Sequence, residues 1–231
     1  MEPQSAQAHP RAGGLAPGAV VGGRFEIKRA AGEDALGAVL AARDRKTGRA
    51  IAVRVLAPGL IATPEAVEVL RAEIKTAASV QHRNVVGTYG MGTDKTQGAR
   101  FVASEWVQGR TLSEVIEEKT RGQRPMSLRG AYNVVAHVCR ALAAAREKGT
   151  CHGALRPSVV LVSKGGRVKL ANLGLERAVV RTAGPAALGD REQPFLAPEV
   201  KAGGAPDVRS DIFGLGGLLY AMLTGRSAAD V

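Results

Sequence analysis

From Phe25 onward, short apolar runs rich in β-branched residues alternate with clusters of turn-forming residues, a pattern that predicts strands. Phe25-Glu26-Ile27, Ala38 to Ala42 and Ala50 to Leu56 read as strands, with Arg45-Lys46-Thr47-Gly48 as the hairpin turn between the last two. A helix is expected to begin at Thr63, a good N-cap, with Pro64 at its first position and Glu65 in its first turn. Val67, Leu70, Ile74, Ala77 and Ala78 follow at helical spacing and define one buried stripe. Val85 to Tyr89 and Phe101 to Trp106 read as two more strands, parted by the polar stretch Thr93 to Gly98. The period then becomes helical. Ser127 caps a run carrying Leu128, Ala131, Val135, Val138, Leu142 and Ala145, and Gly149 stops it. Val159 to Val162 and Val168 to Leu170 form a second hairpin around Ser163 to Gly166, and Gly174 to Pro198, broken by Gly184, Pro185, Gly189 and Pro194, reads as irregular. A last helix is expected from Ser210 through Leu223, ended by Gly225. A strand-rich half followed by a helix-rich half predicts an α+β, two-lobed architecture: a disordered tail over 1–23, a first lobe over 24–107 and a second over 108–231.

Composition narrows the function classes. Hydrophobic residues make up 45% of the 231 and aromatics only 3%, so Ala, Val, Leu and Gly must fill the core. The net charge of +11 is scattered, without a basic run or interleaved aromatics, and this argues against nucleic acid as a partner. Two cysteines, Cys139 and Cys151, are too few for a disulfide framework and are expected as buried, reduced thiols. The longest apolar run, Ile212 to Leu223, is too short to span a bilayer, and no secretory signal is visible; a cytoplasmic protein without a membrane segment is expected.

Several strings, in order from Phe25 to Arg226, resemble those of the bacterial (Hanks-type) serine/threonine protein kinases. Gly32-Glu33-Asp34-Ala35-Leu36-Gly37-Ala38-Val39 resembles the phosphate-covering loop, and Ala52-Val53-Arg54 the strand that carries the ATP lysine. Glu73 resembles the helix glutamate that pairs with that lysine, and Gln81 to Val86 the linker after it. Glu105-Trp106-Val107 is similar to the hinge, with Ser104 as gatekeeper. His152-Gly153-Ala154-Leu155-Arg156-Pro157 resembles the catalytic loop, Asn172-Leu173-Gly174 the metal-binding tripeptide, and Ala197-Pro198-Glu199 the end of the activation segment. Ser210-Asp211-Ile212-Phe213 resembles the start of the buried F helix. The resemblance implies a small β-rich N-lobe and a helical C-lobe, incomplete after the F helix. The apolar faces of the last helix and of the segment around Phe195 are then expected to be partly exposed, and Glu199 to lack its usual arginine.

The same resemblance places four charge-handling roles at Arg54, Ala154, Val159 and Asn172, and all four residues differ from the catalytic pattern. Ala154 offers no proton acceptor, Val159 no lone pair, and Asn172 a neutral oxygen in place of a carboxylate. Arg54 keeps a positive charge and is expected to pair with Glu73, while Asp34 would repel phosphates at the loop. Adenine walls remain at Val39, Ala52 and Leu161. His152 and Leu173 are expected as packing residues joining the lobes, and Asp211 as a buried acceptor for catalytic-loop amides. Gly153 replaces the arginine that would hold a phosphorylated loop residue, so Thr182 is not expected to be a switch. The implied reading is a pseudokinase: a regulatory or scaffolding module that binds other proteins, kinases or signalling components, with no intact metal site and no certain cofactor. The alternatives are an active serine/threonine kinase, a sensor holding ATP without tightly bound Mg²⁺ and, last, a nucleic-acid binder.

Overall fold

A computed structural model describes residues 15–226. The first lobe is a six-stranded antiparallel sheet in the order β1-β2-β3-β4-β6-β5. Its strands are β1 (Val20–Val21), β2 (Phe25–Asp34), β3 (Gly37–Asp44), β4 (Ala50–Leu56), β5 (Thr88–Thr93) and β6 (Arg100–Glu105). Order begins before Phe25, because Val21 pairs with Phe25 and is buried. Gly22 then donates its amide to Asp94 Oδ2 at 2.8 Å, tying the chain's entry to the β5–β6 turn. Gly22 has φ +60°, and a Cβ there would lie 2.6 Å from the Phe101 ring, so this close approach needs glycine. Phe25 and Phe101 meet edge to face with centroids 5.8 Å apart, inside a core that includes Ile27, Leu40, Ile51 and Val53. The strand expected at Val85 to Tyr89 starts later, at Thr88; Val85 instead makes a parallel bridge to Leu170 that stitches the two lobes together.

Helix α1 (Pro64–Ser79) starts as expected, with the Thr63 hydroxyl accepting from the Ala66 amide. The second lobe opens with β7 (Gly109–Thr111) and α2 (Leu112–Arg121), two elements the hydrophobic pattern did not announce. Thr111 and Glu114 close a reciprocal capping box at the start of α2. Helix α3 (Leu128–Glu147) is capped by Ser127, and β8 (Val160–Ser163) and β9 (Val168–Leu170) join β7 in a three-stranded sheet.

The segment expected to be irregular contains a helix, α4 (Leu175–Ala183), followed by tight 3₁₀ turns and the short helix α5 (Pro198–Lys201). Its glycines mark the joints, each with positive φ: Gly174, Gly184 and Gly189. Between the first two, Leu175, Ala178 and Val179 supply a buried face toward α1. Helix α6 (Val208–Thr224) begins earlier than expected, with Asp207 as its N-cap; Ser210 is the third helical residue, and its hydroxyl oxygen accepts from the Asp207 amide. Gly225 ends it in a left-handed conformation.

Two other expectations change. Cys139 is exposed, whereas Cys151 is buried and its thiol is pushed up to about 12 by burial. Phe195 is buried, packed over Gly217. Ile212 and Phe213 on α6 are exposed, as expected for the last helix. No described helix is long and apolar enough to cross a membrane.

Candidate functional site

The sheet register sets the roof of the cleft. Val39 sits opposite Arg54, and Ala52 opposite Ser104, so the loop, lysine-position and gatekeeper residues become neighbours on adjacent strands. Leu161 enters from below on β8, and Val39, Ala52, Ser104, Val107 and Leu161 are all half-buried. Gly37 has φ +119°, and a Cβ there would fall 2.1 Å from the Val55 carbonyl oxygen, so this turn requires glycine; Gly32 faces open space. Glu105 uses its side chain to hold the lobes: Oε2 accepts from the Gly87 amide at 3.1 Å and from Lys169 Nζ at 2.8 Å.

The expected Arg54–Glu73 pair is absent among the described contacts. Arg54 turns to the phosphate loop, where its Nη1 lies 2.5 Å from Asp34 Oδ1, an oxygen that also accepts from the Leu36 amide at 2.9 Å. Glu73 is buried and instead faces α4: Arg181 Nη1 donates to Oε1 at 2.6 Å, and Arg177 Nη1 is 3.5 Å from Oε2. The cause is the docking of α4 on α1. Gly174 lets the chain pass so close that a Cβ would sit 2.6 Å from the Glu73 carbonyl oxygen, which brings the arginines of α4 within reach of Glu73. Asp34 in turn gives Arg54 a nearer partner.

The catalytic-loop string hangs on Asp211. Its Oδ2 accepts from the His152 amide at 2.9 Å and its Oδ1 from the Gly153 amide at 2.8 Å. Burial pushes the Asp211 carboxyl above its usual range, opposed by neighbouring His152 and those two amides. His152 is fully buried, with Nε2 2.9 Å from the Ala171 carbonyl oxygen, and Leu173 joins the second lobe's core. Ala154 and Val159 are both buried in apolar surroundings. Ala154 belongs to one continuous apolar cluster with Leu36 from the phosphate-loop tip, Leu175 and Ala178 from α4, and Leu196.

The metal-position residue Asn172 takes φ +59°, and its amide nitrogen donates to Glu176 Oε1 at 2.9 Å. Glu176 also binds Arg156 in a fork: Nη1 to Oε2 at 2.7 Å and Nη2 to Oε1 at 2.9 Å, with side-chain exposures of 2% for Arg156 and 0% for Glu176. A second carboxylate, Glu192, reaches the same guanidinium, with Oε2 2.8 Å from Arg156 Nε as a charge contact rather than an aligned hydrogen bond. Its Oε1 accepts from the Ser158 hydroxyl at 3.2 Å. Burial alone would raise Glu176, but the Arg156 charge and hydrogen bonds hold it below the ordinary carboxylate value. Burial raises Glu192; Arg156 opposes that and Glu176 adds to it.

Arg156, Glu176, Glu192, Arg177 and Arg181 are the site residues the sequence reading missed. Arg156 lay inside a quoted string without a role, and a glutamate two residues past Asn172-Leu173-Gly174 was the available signal. Glu199 accepts from the Ser210 hydroxyl at 3.1 Å. Thr182 lies on α4 with its hydroxyl bonded to the Ala178 carbonyl oxygen at 2.8 Å.

A β-rich lobe and a helical lobe, joined at a hinge and closed over a catalytic-loop string held by a buried aspartate, define the protein-kinase fold. The profile of the protein kinase domain matches residues 25–230, and the chain belongs to that family. It is 31% identical over 210 residues to the serine/threonine-protein kinase PknB of Mycolicibacterium smegmatis, covering 88% of this chain and 33% of that protein. It is 30% identical over 214 residues to the probable serine/threonine-protein kinase PknB of Corynebacterium glutamicum, covering 90% of this chain and 32% of the relative. The chain thus spans about a third of the length of these relatives, and they place it with the bacterial Hanks-type kinases. The crystal structure of a cysteine-to-alanine mutant of the Mycobacterium tuberculosis PknI kinase domain superposes with a TM-score of 0.76 at 22% identity, covering 92% of this chain and 79% of that one, a likeness of fold.

Proposed function

We propose that this domain is a pseudokinase, a kinase-fold module that does not transfer phosphate and acts by binding other proteins, kinases or signalling components among them. The observation that carries this reading is the surroundings of Ala154. Where the fold calls for a proton acceptor there is a methyl group inside the apolar cluster of Leu36, Leu175 and Leu196. Losing a positioned general base alone lowers a rate about 10²–10⁴-fold. Val159 is buried and offers no metal ligand, and Arg54 is engaged by Asp34. A pocket of ≈ 590 Å³ beside the phosphate-loop tip, bounded by α2, the 3₁₀ turns and the end of α6, is lined by more acidic side chains (Glu33, Asp34, Glu114, Glu117, Asp190 and Glu192) than basic ones (Arg191 and Arg226), a poor setting for a polyphosphate. Nucleotide binding is therefore weak or lost, and any that remains rests on the adenine walls Val39, Ala52 and Leu161.

The second reading is an active serine/threonine kinase. The family and the names of the relatives, all kinases, support it better than they support inactivity; the inactive reading stands on the residues of this chain. Incubating the purified chain with γ-labelled ATP and Mg²⁺ separates the two. No incorporation into itself or a generic substrate, together with no magnesium-dependent thermal shift by ATP, is expected. Incorporation abolished by Asn172→Ala would establish the active kinase instead. A cytoplasmic setting is part of the proposal.

A further inference from the structure

Magnesium does not fit the donor set around Asn172. A hard dication needs free carboxylate lone pairs. Glu176 Oε1 already accepts from Arg156 and Asn172, and its Oε2 from Arg156. Glu192 Oε1 accepts from Ser158, and its Oε2 faces Arg156. Asn172 points an N–H₂ group, a donor, into this cluster. Among the described residues, no group of three or more His, Cys, Asp or Glu side chains is arranged to hold a metal.

From this we infer that the Arg156 guanidinium, clasped by Glu176 and Glu192, is the resident cation of the cleft and fastens the segment 172–195 over it without nucleotide or metal. The inference deepens the pseudokinase reading: the charge a catalytic site would import with its ligand is here part of the chain. The clasp joins two parts of that segment to one side chain of the catalytic loop, Glu176 on α4 and Glu192 in the 3₁₀ turn that follows. A second tie, Arg177 and Arg181 to Glu73, holds the outer side of α4 to α1. The phosphate loop follows the segment down. Leu36 is buried in the cluster that contains Leu175, Val179 and Leu188, and a Cβ on Gly189 would touch the Ala35 Cβ at 3.4 Å. Removing one partner of such a buried pair strands the other's charge, whereas replacing both with apolar groups of similar size is often neutral for folding.

The test is amide hydrogen exchange of the 231-residue chain in Mg²⁺, in Mn²⁺ and in EDTA, with Arg156→Met/Glu176→Met as the variant. The double variant is chosen because it removes the fully buried fork as a pair; the Glu192 carboxylate, the more exposed partner, keeps its Ser158 hydrogen bond. Helices α3 and α6 report whether the fold persists. Equal protection of 175–195 in all three solutions is expected for the wild type, and about ten-fold faster exchange of 185–195 in the variant with α3 and α6 unchanged. Protection that rises with either metal, or a variant that keeps full protection of 185–195, would overturn the inference. Should the variant lose protection throughout, Glu192→Met serves in its place, because it frees the 3₁₀ turn while leaving the Arg156–Glu176 fork intact, and unchanged exchange at 190–195 in that protein would likewise overturn the clasp. Phosphate transfer is scored separately with labelled ATP. Its appearance would end the pseudokinase reading while leaving the exchange result to judge the clasp.

Discussion

The two ends of the stretch from His152 to Val159 are built on opposite principles. At its start, a buried carboxylate from α6 takes two backbone amides of the loop, and a fully buried histidine ties the loop to Ala171. From Ala154 to its far end at Val159, the positions that would handle a proton and a metal are a methyl group and an isopropyl group, each in an apolar cluster. The charge that remains there, Arg156, is turned inward onto Glu176. On the proposed pseudokinase reading, the fold keeps the charges that shape its backbone and drops those that would serve a ligand. The first kind is fixed by a folding requirement, because buried amides need acceptors whether or not chemistry follows. The second kind has no folding role, so apolar packing or an internal ion pair can take its place.

The largest test of that contrast is Asp211→Ala. It orphans two buried amides, each worth about 1–3 kcal/mol, and should lower stability in a urea titration by at least about 2 kcal/mol. A variant with unchanged midpoint would show that the loop's first end is not held as described. Next in size is Ala154→Asp, which restores the expected acceptor but sets it in the Leu36–Leu175–Leu196 cluster. A carboxyl buried there without a partner takes up a proton, and burying that neutral polar group costs about 1–3 kcal/mol by mutational measures, so the variant should be less stable and still fail to label a substrate. Gain of transfer by this one change would mean that the far end is a catalytic site lacking a single group.

The smallest effect concerns Glu192, one of two carboxylates sharing one guanidinium, faced by Arg156, Glu176 and Ser158, with Asp34 nearby. Its folded pKa lies above its unfolded one, so the folded state holds the proton more tightly. Its contribution to stability is therefore full below the ordinary glutamate value, about 4.3, and is lost as pH rises through the raised folded value. Glu192→Gln should remove that decline. The ratio of variant to wild-type stability, followed by denaturation from acid to neutral pH, should rise with pH. A falling ratio would mean that Arg156 outweighs burial and Glu176, and holds the Glu192 carboxyl below its ordinary value.

Much of the fold was legible along the chain. The hairpins, α1 with its Thr63 cap and α3 with its Ser127 cap follow from periodicity and capping, which are local in sequence. Helix α2 escaped notice because its apolar face is short and half of its ten residues are charged. Helix α4 was hidden by the glycines and prolines around it, which mark its joints rather than interrupt it. Within the site, the altered residues at 54, 154, 159 and 172 were visible as letters, and so was the acceptor Asp211.

The sequence by itself determined that this is a two-lobed kinase fold and that four charge-handling positions differ, because strings and spacings survive being read in one dimension. Only the tertiary structure decided where the remaining charges go. Arg54 chose Asp34, Glu73 chose arginines more than 100 residues away, and Arg156 bound Glu176 and Glu192. An arginine pairs with whichever carboxylate the packed helices bring within about 3 Å, and that distance is set by the docking of α4 on α1.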